Sequence, residues 1–236
     1  MAQATGRSVQ HVVFDIGGVL LGWDPRRVYR ELIADPEELE WFLREVCTLA
    51  WNGTLDAGRS FDDACDELAA AHPDHAELVH AWRRQDEMIT GEVPGTTALV
   101  DALGATGVSL HLLTNMPTDV FHARVARFEV LQRFDGAVVS GEEGVVKPDP
   151  QIFHRLAERF DLEPAATLFI DDAEVNVAGA GAVGFQAHHF VDAGGLEAEL
   201  VARGLLAATA PSSRRTSSTP PARPASPLGS GTAISA

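Results

Sequence analysis

Short apolar runs recur along the chain, at HVVF (His11–Phe14), VSLHLL (Val108–Leu113), GAVV (Gly136–Val139), TLFI (Thr167–Ile170) and QAHHFV (Gln186–Val191). They are close to continuously apolar, the pattern of strands covered on both faces. Between the later runs the apolar spacing lengthens to that of helices, around Thr96–Ala105, Thr118–Arg127, Pro150–Phe160, Val175–Ala182 and Leu196–Arg203. Strand and helix in alternation predict an α/β fold with a Rossmann-like parallel-sheet core. Ligands of such sheets bind beyond the carboxyl ends of the strands, so the polar residues that close each run carry the functional interest.

One stretch breaks the alternation. From about Asp24 to Gly91 no strand pattern stands out, while Asp24-Pro25, Pro36 and Pro73 mark helix starts and Ser60-Phe-Asp-Asp63 resembles a capping box. We expect about four short helices here, inserted after the first strand as a cap over the end of the sheet. The chain then divides into a core of residues 8–22 and 92–206, a helical cap of residues 23–91, and a tail of residues 207–236. That tail is built of Ser, Thr, Pro, Ala and Gly with three arginines and no acidic residue. It has too little apolar surface to offset its ordering entropy and is expected to be disordered.

Composition narrows the partners. The 236 residues are 45% hydrophobic and carry a formal charge of −16. This acidity disfavours nucleic acid, yet admits a small anion wherever a local cation offsets the field. Cys47 and Cys65 fall in no metal-binding pattern. The N-terminal residues lack the apolar centre of a signal peptide, and no apolar run reaches the ~20 residues of a membrane span. A cytoplasmic protein, monomeric or homodimeric and without a membrane partner, is the expectation.

Four strand ends carry candidate chemistry: Asp15 before Gly17 and Gly18, Thr114-Asn115, Lys147 in VVKPDP, and Asp171-Asp172 with Asn176 beyond. Singly, each has an ordinary explanation as a turn, a helix cap or a solvated loop residue. Together, at successive strand ends, they describe a phosphoryl-transfer site. A carboxylate attacking phosphorus splits one hard displacement into two easier ones. Three converging carboxylates need a divalent cation between them, and hard oxygen ligands suit Mg²⁺. Lys147 and the Thr114 hydroxyl would hold the phosphoryl oxygens as charge spreads over them.

These residues, as FDIGGVL, LLTN, KPDP and FIDD in that order, resemble the four motifs of the haloacid dehalogenase-like superfamily, with a match from about His11 to Leu206. The resemblance implies a Rossmann-like core with a mobile helical lid and Asp15 as nucleophile. It implies phosphate binding by Thr114 and Asn115, and Lys147 as the bridge between nucleophile and substrate. Mg²⁺ would be held by Asp15, the Gly17 carbonyl and Asp172, and by Asp171 through water. Gly17 departs from the pattern, because phosphatases of the superfamily usually carry a second Asp there as general acid and base. The segment DIGGVLLGWDP is most similar to a bacterial branch related to sugar-1-phosphate phosphatases, which shares this Gly and implies a small phosphorylated metabolite, such as a sugar phosphate, as substrate. Two alternatives stay open: a 2-haloacid dehalogenase, in which Asp attacks carbon without a metal, and a binding module that keeps the fold without turnover. Trp23, Asp24, Arg26, Arg27, Trp51 and Asn52 are the cap candidates to face the site, although Trp51 or Trp82 reads more readily as plain cap core, and Asp24 more readily as a simple helix N-cap than as a substitute acid. His188 and His189 are read as ordinary residues of their strand.

Overall fold

The computed structural model describes residues 8–208. The chain opens on β1 (His11–Phe14), turns through Gly17 and Gly18 into β2 (Leu21–Trp23), and enters the insertion. There follow α1 (Arg26–Tyr29), α2 (Pro36–Glu45), α3 (Leu49–Asp56), α4 (Phe61–Ala71) and α5 (Ala76–His80), before β3 (Ile89–Glu92) leads back. Alternation then takes over with α6 (Thr96–Gly104), β4 (Ser109–Thr114), α7 (Thr118–Arg127), β5 (Gly136–Val139), α8 (Ser140–Glu143) and α9 (Pro150–Phe160). The described part closes with β6 (Thr167–Asp171), α10 (Glu174–Ala182), β7 (Gln186–His189) and α11 (Ala193–Ala202).

Five strands form one parallel sheet in the order β5-β4-β1-β6-β7. Side chains of β1 alternate between its faces. Val12 and Phe14 pack with Leu112, Leu168 and Ile170 under α6 and α11, while Val13 packs with Leu113, Phe169 and the α9 residues Phe153 and Leu156. Both faces are thus dry, which explains the unbroken apolar runs. Register fixes the site: Phe14 pairs with Leu112 on one side and Ile170 on the other. Asp15, one residue on, therefore stands level with Leu113 and Asp171, at the carboxyl end of the central strand.

The insertion has its own apolar core, in which Tyr29, Phe42, Leu55, Trp82 and Met88 are fully buried. Trp82 meets Trp23 and Trp51 edge to face, with centroids 6.1 and 5.6 Å apart. Helix starts follow the sequence signals. Asp35 accepts from the Glu37 N–H ahead of Pro36, Thr48 from Trp51 at 3.0 Å, and Ser60 from Asp63 at 3.4 Å.

Several expectations need correction. The insertion is bounded by a two-stranded antiparallel ribbon, β2 with β3, rather than running from helix to helix. Strands of three and four residues are too short to show a period, and each carries a glycine. At Gly22 this is required, because a Cβ would stand 2.0 Å from Thr90 Oγ1. The helices are five, not about four, with 3-10 turns at Pro73–His75 and Ala81–Arg83 besides. The helix of Leu196–Arg203 begins at Ala193, since Asp192 caps it through the Gly195 N–H at 2.8 Å; two glycines in its first turn hid that start. Strands β4 and β6 each run one residue further than the apolar pattern, to Thr114 and Asp171. Cys47 and Cys65 are free and buried in the insertion core. No helix among the described residues is long and apolar enough to cross a membrane. The expected disorder of the tail falls on residues 207–236, of which 209–236 lie outside the described residues.

Candidate active site

Asp15 leaves the sheet with its backbone N–H still donating to the Ile170 carbonyl at 2.9 Å. Its Oδ1 accepts from the Ile16 N–H at 2.7 Å and lies 2.9 Å from Lys147 Nζ. The turn that follows depends on Gly18. Its φ is +71°, and a Cβ there would come within 2.1 Å of Asp172 Oδ2, so only glycine passes beneath that carboxylate. Gly17 is different: its φ is not left-handed, and a Cβ would meet nothing within 4 Å. Neither backbone conformation nor contact at the Cβ position demands glycine here.

Lys147 is the buried hub. Its Nζ donates to the Leu113 carbonyl at 3.0 Å and to Asp171 Oδ2 at 2.7 Å, besides its contact with Asp15. All three ammonium N–H groups thus have protein acceptors. Burial pulls its pKa down, but Asp15 and Asp171 outweigh that, and the net shift is upward. The Asn115 amide clamps the hub: Oδ1 accepts from the Lys147 backbone N–H at 2.8 Å, and Nδ2 donates to the Lys147 carbonyl at 3.0 Å. Asn115 therefore lines the cavity while spending its side chain on positioning Lys147. Thr114 is buried at the end of β4 and faces the same cavity.

The two carboxylates that follow β6 are unequal. Asp171 is fully buried, and both its oxygens accept hydrogen bonds, from Lys147, the Ala173 N–H and Asn176 Nδ2. Asp172 is exposed to the cavity. Carboxylate oxygens of Asp15, Asp171 and Asp172 lie within 4.8 Å of one another. Burial pushes the pKa of Asp15 up, with Lys147 opposing and Asp171 reinforcing it; burial and then Asp171 push Asp172 up too. Three carboxylates around one ammonium leave a surplus of negative charge in hard oxygen donors, a set that fits Mg²⁺. Asp172 and Asp15 are the freer ligands, whereas Asp171 is already occupied as an acceptor. Gly17 lines the cavity beside them.

The cavity has a volume of about 260 Å³. Strand-end residues form its floor, and the insertion supplies a wall from Trp23, Asn52, Asp56 and Gln85. Of the cap candidates, Trp23 and Asn52 are brought to the site. Trp51 packs in the insertion core. Asp24 and Arg26 lie outside this cavity, where Asp24 accepts from the Arg26 N–H and Arg26 pairs with Glu40; Arg27 reaches the Glu87 carbonyl. His189 Nε2 lies 2.9 Å from the Asp172 carbonyl.

Two charged residues of the cavity, Asp56 and Arg124, escape sequence reasoning. Asp56, at the end of α3, is held by Asn52 Nδ2 at 2.9 Å, and Asn52 in turn accepts from Trp82 Nε1 at 2.9 Å. Burial raises its pKa to about 7, against the pull of Arg124 and Lys147. The backbone carbonyl of Asp56 accepts from Ser140 Oγ at 2.5 Å, which ties α3 to the core. The only trace in the sequence is the Asn52–Asp56 spacing of one helical turn. Arg124 lines the cavity from α7 and is buried there; in the sequence it is one more arginine of an amphipathic helix. Chemically, the assembly sets a buried carboxyl, Asp15, beside Lys147, with carboxylates that could hold a cation and a titratable acid, Asp56, on the opposite wall.

A sesquiterpene phosphatase of Aspergillus oryzae is 29% identical over 184 residues, 76% of this chain and 89% of its own. The fold is shared with a predicted HAD-like family hydrolase of Porphyromonas gingivalis, at a TM-score of 0.65 and 23% identity over 84% of this chain and 98% of that one. It is shared also with L-2-haloacid dehalogenase of Xanthobacter autotrophicus, at 0.56 and 21% over 82% and 83%. Residues 9–184 match the haloacid dehalogenase-like hydrolase family. That span contains the nucleophile candidate, the lysine hub and the paired carboxylates alike, and the chain belongs to this family of hydrolases.

Proposed function

We propose that the protein is a Mg²⁺-dependent phosphohydrolase acting on a small phosphorylated metabolite through an aspartyl-phosphate at Asp15. The observation that carries this reading is Asp172, an exposed carboxylate within 4.8 Å of the nucleophile's. Dehalogenation requires an anionic acid to approach an anionic nucleophile without a metal, and an additional bare carboxylate would repel it. With a divalent cation the same carboxylate becomes a ligand that draws phosphate in. Bound there by Asp15, Asp172 and the Gly17 carbonyl, with Asp171 behind, Mg²⁺ would neutralise the phosphoryl oxygens. In the first step an Asp15 oxygen forms a bond to phosphorus as the bond to the leaving oxygen breaks. In the second, water attacks phosphorus, frees inorganic phosphate and restores the Asp15 carboxylate. Lys147 holds Asp15 in position throughout, and Thr114 offers its hydroxyl to the phosphoryl group. Replacing Asp172 with Ala is expected to raise the Mg²⁺ needed for half-maximal activity about tenfold or more. Chelated wild-type protein should be inactive and recover with Mg²⁺; turnover that survives chelation transfers the site to the dehalogenase reading.

The leaving oxygen needs a proton that Gly17 cannot give. Asp56 faces the cavity from the opposite wall and, with a pKa of about 7, is substantially protonated at neutral pH. Asp24, outside the cavity, does not serve. On this reading kcat/KM for an alkyl phosphate falls as the pH rises through about 7 and Asp56 loses its proton. Asp56→Asn should abolish that limb and lower the ratio of kcat/KM on alkyl phosphates to that on p-nitrophenyl phosphate by about a hundredfold. Adding Gly17→Asp, at a position whose backbone does not require glycine, should restore part of the ratio. A ratio that Asp56→Asn leaves unchanged would place the donor elsewhere.

A further inference from the structure

Among the described residues that line the cavity, Arg124 alone carries a positive charge. It is 5% exposed, and its guanidinium is poorly satisfied: Nη1 meets only the Met116 sulfur at 3.4 Å, and Nε has no hydrogen-bond partner. Several other arginines end on carboxylates, as Arg26 on Glu40, Arg155 on Glu143 and Arg203 on Glu199, while Arg27 and Arg127 reach backbone carbonyls. Arg124 makes no such ion pair among the described residues. Burial lowers its pKa to about 10, with Asp86 and Asp56 opposing, so it is charged at neutral pH. A buried cation with unmade hydrogen bonds is costly, and one aimed into a cavity is satisfied by what enters it.

We propose that Arg124 is the anchor for a second oxyanion on the leaving half of the substrate, a carboxylate or a further phosphate. This rests on the phosphohydrolase reading and narrows it to phosphomonoesters of small hydroxy acids, sugar acids or sugar phosphates. The transferred phosphoryl group belongs at the other end of the cavity, between Asp15, Thr114 and Asp172. Arg124 sits on α7, beyond Met116, and the acids that support its charge are Asp86 and Asp56 of the insertion. One cation thus serves each end: Lys147 beneath the nucleophile, Arg124 beside the wall of the insertion.

The remaining lining agrees. A volume of about 260 Å³ holds a small polar alcohol, and Asn52, Asp56 and Gln85 present polar groups to it. The leaving half implied by the name of the Aspergillus relative, a large hydrocarbon, would leave Arg124 against apolar surface. A plain sugar phosphate would leave it unpaired. An anion on Arg124 would also offset the charge that pulls the Asp56 pKa down, and so keep the proton donor in its protonated, neutral form while the substrate is bound.

The test compares the full chain with Arg124→Met and Arg124→Lys, in Mg²⁺, on 3-phosphoglycerate and fructose 1,6-bisphosphate, whose leaving halves are anionic, and on glycerol 3-phosphate and glucose 1-phosphate, whose leaving halves are neutral. The wild type should prefer an anionic leaving half in kcat/KM by about tenfold or more. Arg124→Met should lower the anionic-to-neutral ratio about a hundredfold, mostly through KM, with Arg124→Lys in between. Preference between the first two substrates tells carboxylate from phosphate. Equal losses on all four, or a wild type indifferent to the second charge, overturn the proposal. If no substrate turns over, and beryllium fluoride forms no adduct at Asp15, the phosphohydrolase reading fails instead. The subsite is then read by calorimetry of glycerate against glycerol, where glycerate alone should bind and Arg124→Met should abolish it; binding of neither, or of both equally, overturns it.

Discussion

Asp15→Asn should reduce phosphate release by about 10⁴-fold or more while leaving the fold, read by circular dichroism, unchanged. The amide nearly matches the carboxylate in volume and removes the attacking anion, and covalent catalysis has no substitute at this position. Stability should rise rather than fall. Burial and Asp171 raise the Asp15 pKa despite Lys147, so near neutral pH the ionised carboxylate weighs against the folded state. Asn removes that charge, and Lys147 keeps the Leu113 carbonyl and Asp171 as acceptors. The wild type's metal-dependent beryllium fluoride adduct should disappear as well. Residual turnover above about a tenth of wild type would remove Asp15 from the nucleophile's role, since general-acid help alone accounts for only about 10²–10⁴-fold.

Much of this architecture is legible in the sequence, for a physical reason. A parallel sheet covered on both faces writes itself as continuous apolar runs, and the residues that end those runs must gather at one edge. The positions of Asp15, Thr114 and Asp171 follow from that logic, whereas Lys147 comes from the loop beyond α8 rather than from a strand end. Their division of labour does not. Nothing in KPDP tells that the Lys147 ammonium is saturated by Leu113, Asp15 and Asp171, or in LLTN that the Asn115 amide is spent on the Lys147 backbone. The insertion is less legible still. Its helices bury side chains against each other, so the apolar pattern reports their mutual packing and not the wall that faces the sheet. Asp56 and Asp24 are each an Asp at a helix boundary, and only tertiary packing brings one into the cavity and leaves the other beside Arg26. Arg124 shows the same limit from the other side. An arginine on an amphipathic helix is ordinarily read as reaching solvent, and its burial depends on where the insertion lies.

Lys147→Met carries the other large effect, and it falls on stability as well as activity. In the wild type one buried ammonium stands between two buried carboxylates, at 2.9 Å from Asp15 and 2.7 Å from Asp171. Removing one member of a buried pair leaves its partners uncompensated, at a cost of about 3–5 kcal/mol. For a chain of this size that corresponds to a fall in Tm of about 10 °C. The variant should be inactive, because Asp15 loses both its orientation and the charge that favours its anionic form. Two signatures separate this from an ordinary packing defect. First, Mg²⁺ can replace the lost positive charge, so it should raise the Tm of the variant by more than that of the wild type. Second, the sign of the pH response is fixed. Asp15 already has a raised pKa, and without Lys147 the strongest influence lowering it is gone. A carboxyl raised in the folded state binds more protons there than in the unfolded chain, so its contribution is present below the ordinary carboxylate range and is lost as the pH climbs through the raised value. The stability deficit of Lys147→Met should therefore narrow as the pH is lowered from 8 towards about 5. A deficit that is the same at both ends of that range, and indifferent to Mg²⁺, would mean that Lys147 fills space rather than balancing charge.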